Sequence, residues 1–255
     1  PCDVPSRERR SRPTPCGLAG WPFEQPFSEQ RILKLRILLN HLEISFQTHN
    51  MDPRFQYLYL VEVETQCLFG ISAYTYLETR LKAYFKGPTT DQSVSHRQEA
   101  FRTIHSFLTH TGNLSKLLWP GSPGPRRNAK ERKKRMDLRG QSLRRILDLP
   151  DQGHVLGNRN LRNYLEHFDE ELDAWAADKS GWGLVALDNF GPFGMIKAEE
   201  IKYIRCFNTV TYDFVFLDES VNLRTLNGAL ENILPIVTHN KAAALATARK
   251  APHNA

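Results

Sequence analysis

The stretch GNRNLRNYLEHFDEELDAWAAD, Gly157 to Asp178, decides how the rest of the chain is read. Its spacing predicts a helix. Asn158 follows Gly157 and is a good cap, because its side chain can accept from the backbone N–H groups left open at a helix start. Leu161, Leu165, Phe168, Leu172 and Trp175 then recur at helical spacing and form one apolar stripe. No proline or glycine interrupts 158–178. Such a stripe has to be covered, which makes this helix the last core member of a helical bundle.

The same helix carries the residues that look like a reaction centre. Asn163 and His167 are four apart and stack on one face. Arg159 lies one turn before Asn163 on nearly the same line, and Arg162 is offset by about a hundred degrees but has a long arm. Together Arg, Asn and His suit cleavage of an RNA phosphodiester. The guanidinium offers forked donors and a permanent charge to a phosphate whose negative charge spreads in the transition state. An imidazole titrates near neutrality and can move protons to or from the ribose 2′-OH and the leaving 5′-oxygen. The carboxamide can orient either. Nothing in this set demands a metal or a cofactor. The plainer alternative is a charged helix face on which Arg162 and Glu166 form an i, i+4 pair.

Arg162-Asn163-Tyr164-Leu165-Glu166-His167 also resembles the motif of the HEPN superfamily of helical-bundle proteins: an Arg, a polar residue directly after it, and a His four to six residues on. The resemblance covers this six-residue motif and its helical context from Met51 to Asp178. It implies that the motif opens a late helix and that two copies meet across a homodimer to form a metal-independent ribonuclease site. It further implies Arg162 on the scissile phosphate, His167 as general acid or base, and Asn163 holding the phosphate or the His. A toxin–antitoxin or anti-phage defence role, with an antitoxin encoded nearby, comes from the resemblance alone. Two features depart from the family pattern: no nucleotidyltransferase partner is visible in the chain, and a spacing of four is the short end of the family range.

Composition sets the outer bounds. The chain has 255 residues, one large domain or one domain with attachments, and 40% apolar residues are enough for a sizeable core. Its 34 basic and 28 acidic residues leave +6, which tolerates an anionic partner. Cys2, Cys16, Cys67 and Cys206 are scattered with no CxxC pair and are read as free thiols of a reducing compartment. No run of about twenty apolar residues predicts a membrane span, and no signal peptide is apparent. These readings predict a cytoplasmic protein.

Taken in order, residues 1–28 are rich in Pro, Arg and Ser without apolar period and predict disorder, and 29–47 can form a short amphipathic helix. Met51 is the first Met, so 1–50 is read as a disordered or non-native upstream segment, with a nucleic-acid-binding basic arm as the alternative. The bundle is expected over 51–178. Within it, Phe55, Leu58, Val61, Leu68, Ile71, Tyr74, Leu77, Leu81 and Tyr84 predict a helix from Arg54 to Phe85, ended by Gly87-Pro88. Glu62, Glu64 and Glu78 are its acids, any of which could orient the Arg–His pair. A second helical region spans Asp91 to Trp119, with a break expected at Gly112-Asn113 and with His96, His105 and His110 read as surface or capping residues. A linker follows over 119–125, with three prolines and two glycines.

Residues 126–135, RRNAKERKKR, hold seven basic residues and one acid. Arg126, Arg127, Lys130, Arg132, Lys133, Lys134 and Arg135, with Arg159, are the candidate RNA-binding residues, and Arg139, Arg144 and Arg145 extend the character along a helix to Leu149. Such a block tracks phosphates without reading sequence, because no aromatic residue is interleaved for base stacking. Its plain alternative is a solvated helix face. His154 is a second-rank candidate near the key helix. Over 179–240 the pattern predicts a small antiparallel sheet or hairpin, with a strand at 209–217, and a helix over 223–237 packed on the bundle. Residues 241–255 are expected to fray. No P-loop, dinucleotide fingerprint or nucleophile elbow occurs. The fold expected is therefore a mainly α, up-and-down bundle with a small C-terminal β addition. A metal-independent endoribonuclease is the expected function. A catalytically silent nucleotide- or RNA-binding or protein-interaction module is the alternative, and a structural helical protein is what remains if neither holds.

Overall fold

The computed structural model describes residues 51–87, 90–125, 127–158, 167–177, 184–192, 201–217 and 219–250, all within the unit Phe46–Ala255. The chain is mainly α, a helical bundle with a small sheet in its C-terminal region. Among the described residues, no helix is long and apolar enough to cross a membrane.

Helix α1, Pro53–Tyr84, starts where a cap and a proline coincide. The Asp52 carboxylate accepts from the Arg54 N–H at 2.8 Å, and Pro53 loses nothing in the first turn, where its missing donor would have had no partner. The helix stops before Gly87, which takes φ +96°. Its buried side runs through Leu60, Val63, Cys67, Gly70, Tyr74, Leu77 and Leu81. Tyr74, Leu77 and Leu81 match the expected stripe, whereas Phe55, Leu58 and Leu68 face outward. The reason is that α1 carries two apolar faces, and packing chooses one of them. The closest approach is at Gly70, where an added Cβ would stand 2.6 Å from Leu230 Cδ1.

Helix α2, Thr90–Leu118, runs straight through the expected break. Gly112 is buried mid-helix, with Leu108, Leu114 and Leu118 around it in the core. That packing outweighs the roughly 1 kcal/mol a glycine costs in a helix interior. The proline-rich linker is loop, as the composition demands, and is pinned at its start: Trp119 is buried and donates from Nε1 to the Asp151 carbonyl at 3.0 Å. Helix α3, Ala129–Ile146, docks through its C-terminal half, where Gly140, Leu143 and the following Leu147 are buried. A 3-10 turn, Val155–Gly157, follows, and then α4, Phe168–Ala177. Leu172 and Trp175 of α4 lie half-buried against the core, but Phe168 is 41% exposed and no residue of α4 is fully buried, so α4 borders the core, which corrects the expectation of a last core member.

Four strands form the sheet in the order β1 (Leu184–Phe190), β2 (Ile201–Phe207), β3 (Asp213–Phe216) and β4 (Glu219–Asn222). β1 and β2 are parallel, which corrects the expectation of a purely antiparallel sheet; the other two pairs are antiparallel. The strand expected over 209–217 begins only at Asp213. Asn208 Oδ1 accepts from the N–H groups of Val210 and Thr211, and Tyr212 adopts φ +65°, so 208–212 is a side-chain-supported turn. Phe207, Phe214 and Phe216 are fully buried on one face of the sheet, where Phe101 of α2 meets Phe214.

Helix α5, Leu223–Lys250, is longer than the 223–237 expected. The tail fails to fray up to Lys250 because it is docked as well as alanine-rich. Ala244 is 1% exposed, Lys241 pairs with Glu64 of α1, and Asn240 donates to the Ile146 carbonyl at 3.1 Å. Alanine's high helix propensity does the rest. Residues 251–255 lie outside the described residues.

Candidate nucleic-acid interface

Arg159, Arg162 and Asn163 lie outside the described residues, as does Arg126. The two ends of the motif stretch are described. Asn158 has extended backbone (φ −68°, ψ 121°), and its N–H closes the 3-10 turn on the Val155 carbonyl at 3.2 Å. His167 occupies a turn at the start of α4, and its carbonyl accepts from the Glu171 N–H at 2.9 Å. A single unbroken helix over 158–178 is therefore corrected at His167. Asp169, Glu170 and Glu171 fill the first turn of α4; carboxylates there are favoured by the partial positive charge of a helix N-terminus, which makes 168 a natural starting point. The His167 side chain is 56% exposed, with Nδ1 3.7 Å from Glu170 Oε2. It stands in solvent beside a carboxylate and is not packed into the core.

The basic block is a helical feature. Lys130, Arg132, Lys134 and Arg135 project from the first turns of α3 and are exposed, as is Arg127 just before it. Lys133 pairs with Asp137 one turn on; among the described residues it is the ion-paired member of the group. Ser122 and Pro123 of the linker, with Lys130, Lys134, Leu138 and Gln141, border an open groove of ≈ 550 Å³. The positive end of the α3 dipole points the same way as these cations. An anion is attracted here by both.

Not every base nearby belongs to this surface. Arg139 turns inward: it donates from Nη2 to the Lys116 carbonyl at 3.0 Å and lies over the Tyr59 ring. Arg144 clamps Asp151 through Nε and Nη2 at 2.9 and 2.6 Å, and donates to the Leu118 carbonyl. These two hold α3 in place, which corrects the expectation that they extend the basic surface; Arg145 remains exposed.

The histidines divide in the same way. His154 caps the 3-10 turn by accepting from the Leu156 N–H, stacks on Trp119 at 5.1 Å, and is pushed below its ordinary pKa by burial. It works as a structural residue. His110 meets Gln66 Oε1 at 2.9 Å and the edge of Phe69. His105, expected on the surface, is half-buried against Phe214, and its Nε2 is shielded with no hydrogen-bond partner among the described residues. Burial lowers its pKa, the Arg205 charge adds to that, and Asp188 opposes it. Asp188 and Arg205 form an ion pair at 2.7 Å across the parallel strands. Sequence gives no signal for this cluster, because its members come from three elements. Of the acids considered for orienting the motif, Glu62 accepts from Gln66 Nε2, and Glu64 holds Thr238 and Lys241.

Cys67 and Cys206 are buried free thiols, and burial pushes Cys67 up to about 12. Cys2 and Cys16 lie outside the described residues. Comparisons with protein-family models, with curated proteins and with solved structures gave no match.

Proposed function

We propose that this chain binds RNA through the N-terminal half of α3 and cuts it without a metal, in the manner that the resemblance of Arg162-Asn163-x3-His167 to HEPN endoribonucleases implies. The observation that carries the binding part is the array of exposed cations on α3, of which Lys133 alone is ion-paired among the described residues. Phosphate contacts of this kind give sequence-blind, salt-dependent affinity. The cleavage part is supported by the solvent-open setting of His167.

In this reading the ribose 2′-oxygen attacks phosphorus, the bond to the 5′-oxygen breaks, and the products are a 2′,3′-cyclic phosphate and a 5′-hydroxyl. One imidazole takes the 2′-OH proton and another delivers a proton to the leaving oxygen, so a site assembled from the His167 residues of two copies has both. Arg162 stabilises the charge on the phosphoryl oxygens and Asn163 holds the phosphate or the imidazole. A toxin or defence role, with a nearby-encoded antitoxin, belongs to the resemblance and has no separate support. The second reading is a catalytically silent RNA-binding module, favoured by the make-up of the described groove: its cations suit phosphate contacts, and the carboxylate in its lining, Asp137, is held by Lys133.

The test is incubation of mixed single-stranded and structured RNA with the protein in EDTA, beside Arg162→Ala and His167→Ala. Cyclic-phosphate ends made by wild type and lost in both variants are the expected result. Binding without cleavage selects the silent module, and absence of both removes the RNA reading.

A further inference from the structure

The groove beside α3 is not uniformly basic. Two rows of the helix line it, 130, 134 and 138 beside 133, 137 and 141, each with the four-residue spacing that keeps side chains on one face. The first row reads Lys, Lys, Leu; the second reads Lys, Asp, Gln. Lys133 and Asp137 pair with each other and make a neutral stretch of wall. Lys130 and Lys134 are exposed and stand one turn apart, about 5–6 Å at their roots. Further along α3 the lining changes character. Leu138 is 45% exposed and, with Pro123 of the linker, gives the groove an apolar part. Gln141 follows on the next turn, half-buried, with an amide that both donates and accepts. At ≈ 550 Å³ the groove lies within the range of about 300–1,000 Å³ typical of small-ligand clefts.

We propose that this groove holds one unpaired nucleotide of a single-stranded RNA, with the base flat against Leu138 and Pro123, its edge at the Gln141 amide, and the flanking phosphates on Lys130 and Lys134. The inference rests on the RNA-binding reading above and deepens it, from a surface that grips backbone to a subsite for a base. The order of side chains selects the occupant. A nucleotide joins an anion to a flat ring with a hydrogen-bonding edge, and α3 presents cations, then carbon surface, then an amide. A free phosphate would use the lysines and leave Leu138 bare. A duplex would do the same, because its bases are stacked and paired, whereas an unpaired base can be splayed out and bonded along its edges. An aliphatic surface accepts the face of any base by burial, so the subsite distinguishes single strands from duplexes more than one sequence from another. The block over 126–135 has no aromatic residue for this task, and the base contacts come from 123, 138 and 141, outside it.

The test compares two labelled single strands of equal length and charge on the full chain, by fluorescence anisotropy at one salt concentration. One carries bases and the other is abasic, and both are 2′-O-methylated so that neither can be cut. Wild type is expected to bind the base-bearing strand roughly tenfold tighter. Leu138→Ser, at an exposed position, is expected to keep the helical circular dichroism and the salt dependence while erasing most of that preference. Gln141→Leu is expected to weaken the base-bearing strand alone. Leu138→Trp offers a larger flat surface and is expected to widen the preference, a gain that a damaged fold would not produce. Equal binding of the two strands overturns the subsite and leaves the phosphate-binding reading standing. A base preference that persists in Leu138→Ser and does not grow in Leu138→Trp also overturns it, by placing the base elsewhere. So does an acidic peptide that binds as tightly as the base-bearing strand and loses as much in Leu138→Ser, which makes the groove a peptide site. Binding of neither strand removes the RNA reading itself, and the subsite with it.

Discussion

The His105 ring packs edge-on to Phe214 and carries a shielded nitrogen with no hydrogen-bond partner among the described residues. An unmet buried polar atom costs stability, and replacing it by an apolar group of similar volume is close to neutral or favourable. The same burial sets a pH dependence. His105, His110 and His154 are all held below the ordinary histidine value of 6.5, each chiefly by burial. The folded state therefore favours the neutral rings, and the unfolded chain binds protons more readily. The resulting stability is fully present above the unfolded value and is lost as pH falls through and below 6.5. The melting temperature is expected to drop between about pH 7.5 and about pH 5. His105→Leu is expected to melt higher at neutral pH and to lose less on acidification. If the variant follows wild type at both pH values, His105 is not among the groups responsible.

Elements show why some readings of the sequence held and others did not. The ends of α1 were legible because a cap, a proline and a glycine announce them within a few residues. Its core face was only half legible: period alone cannot say which of two apolar rows is covered, and Phe55 and Tyr74 look equally apolar until α2 and α5 are in place. Gly112 misled because glycine's local cost is smaller than the burial around it, and the 241–250 tail misled because its anchors, Glu64 and Ile146, are far away in sequence. Gly140 is a clearer case of an element depending on a neighbour. A Cβ there would lie 2.6 Å from Pro120 Cδ and 2.7 Å from the Leu118 carbonyl oxygen. Alanine gains roughly 1 kcal/mol of helix propensity, but overpacking against backbone costs about 1–3 kcal/mol. Gly140→Ala is therefore expected to lower unfolding stability by about 1 kcal/mol in urea titrations. Unchanged stability would show that α3 can shift away from the linker without loss.

At the level of the whole molecule, charge is concentrated. Residues 126–135 alone carry +6, equal to the net charge of the full chain. If RNA binds there, substituting Lys130, Lys134 and Arg135 by alanine should flatten the dependence of log affinity on log salt by about 2, since each single-strand phosphate contact contributes roughly 0.7. Fluorescence anisotropy with a labelled oligonucleotide at several salt concentrations measures this; an unchanged slope would place the RNA elsewhere. The exposed basic face was legible because a run of like charge declares itself in one dimension. The roles of Arg139 and Arg144 were not, because an arginine that caps carbonyls across a fold reads the same in sequence as one that faces water. The His105, Asp188 and Arg205 cluster was invisible for the corresponding reason, being made by the topology of β1, β2 and α2.

The attachment of α3 has a mechanical consequence. Its last two turns are gripped by Leu143, by Leu147 and by the Arg144 contacts with Asp151 and Leu118, while its first two turns are exposed beside a loop of prolines and glycines. The helix is a cantilever: a stiff beam fixed at one end, with the charge loaded on the other. Small rotations at the fixed end become larger displacements at the tip, so any play at the root moves the cations further than it moves the core, while the helix itself stays folded. Gly140 sits at the root of that beam, and so the residue that sets how closely α3 seats on the linker also sets how far its charged tip can travel.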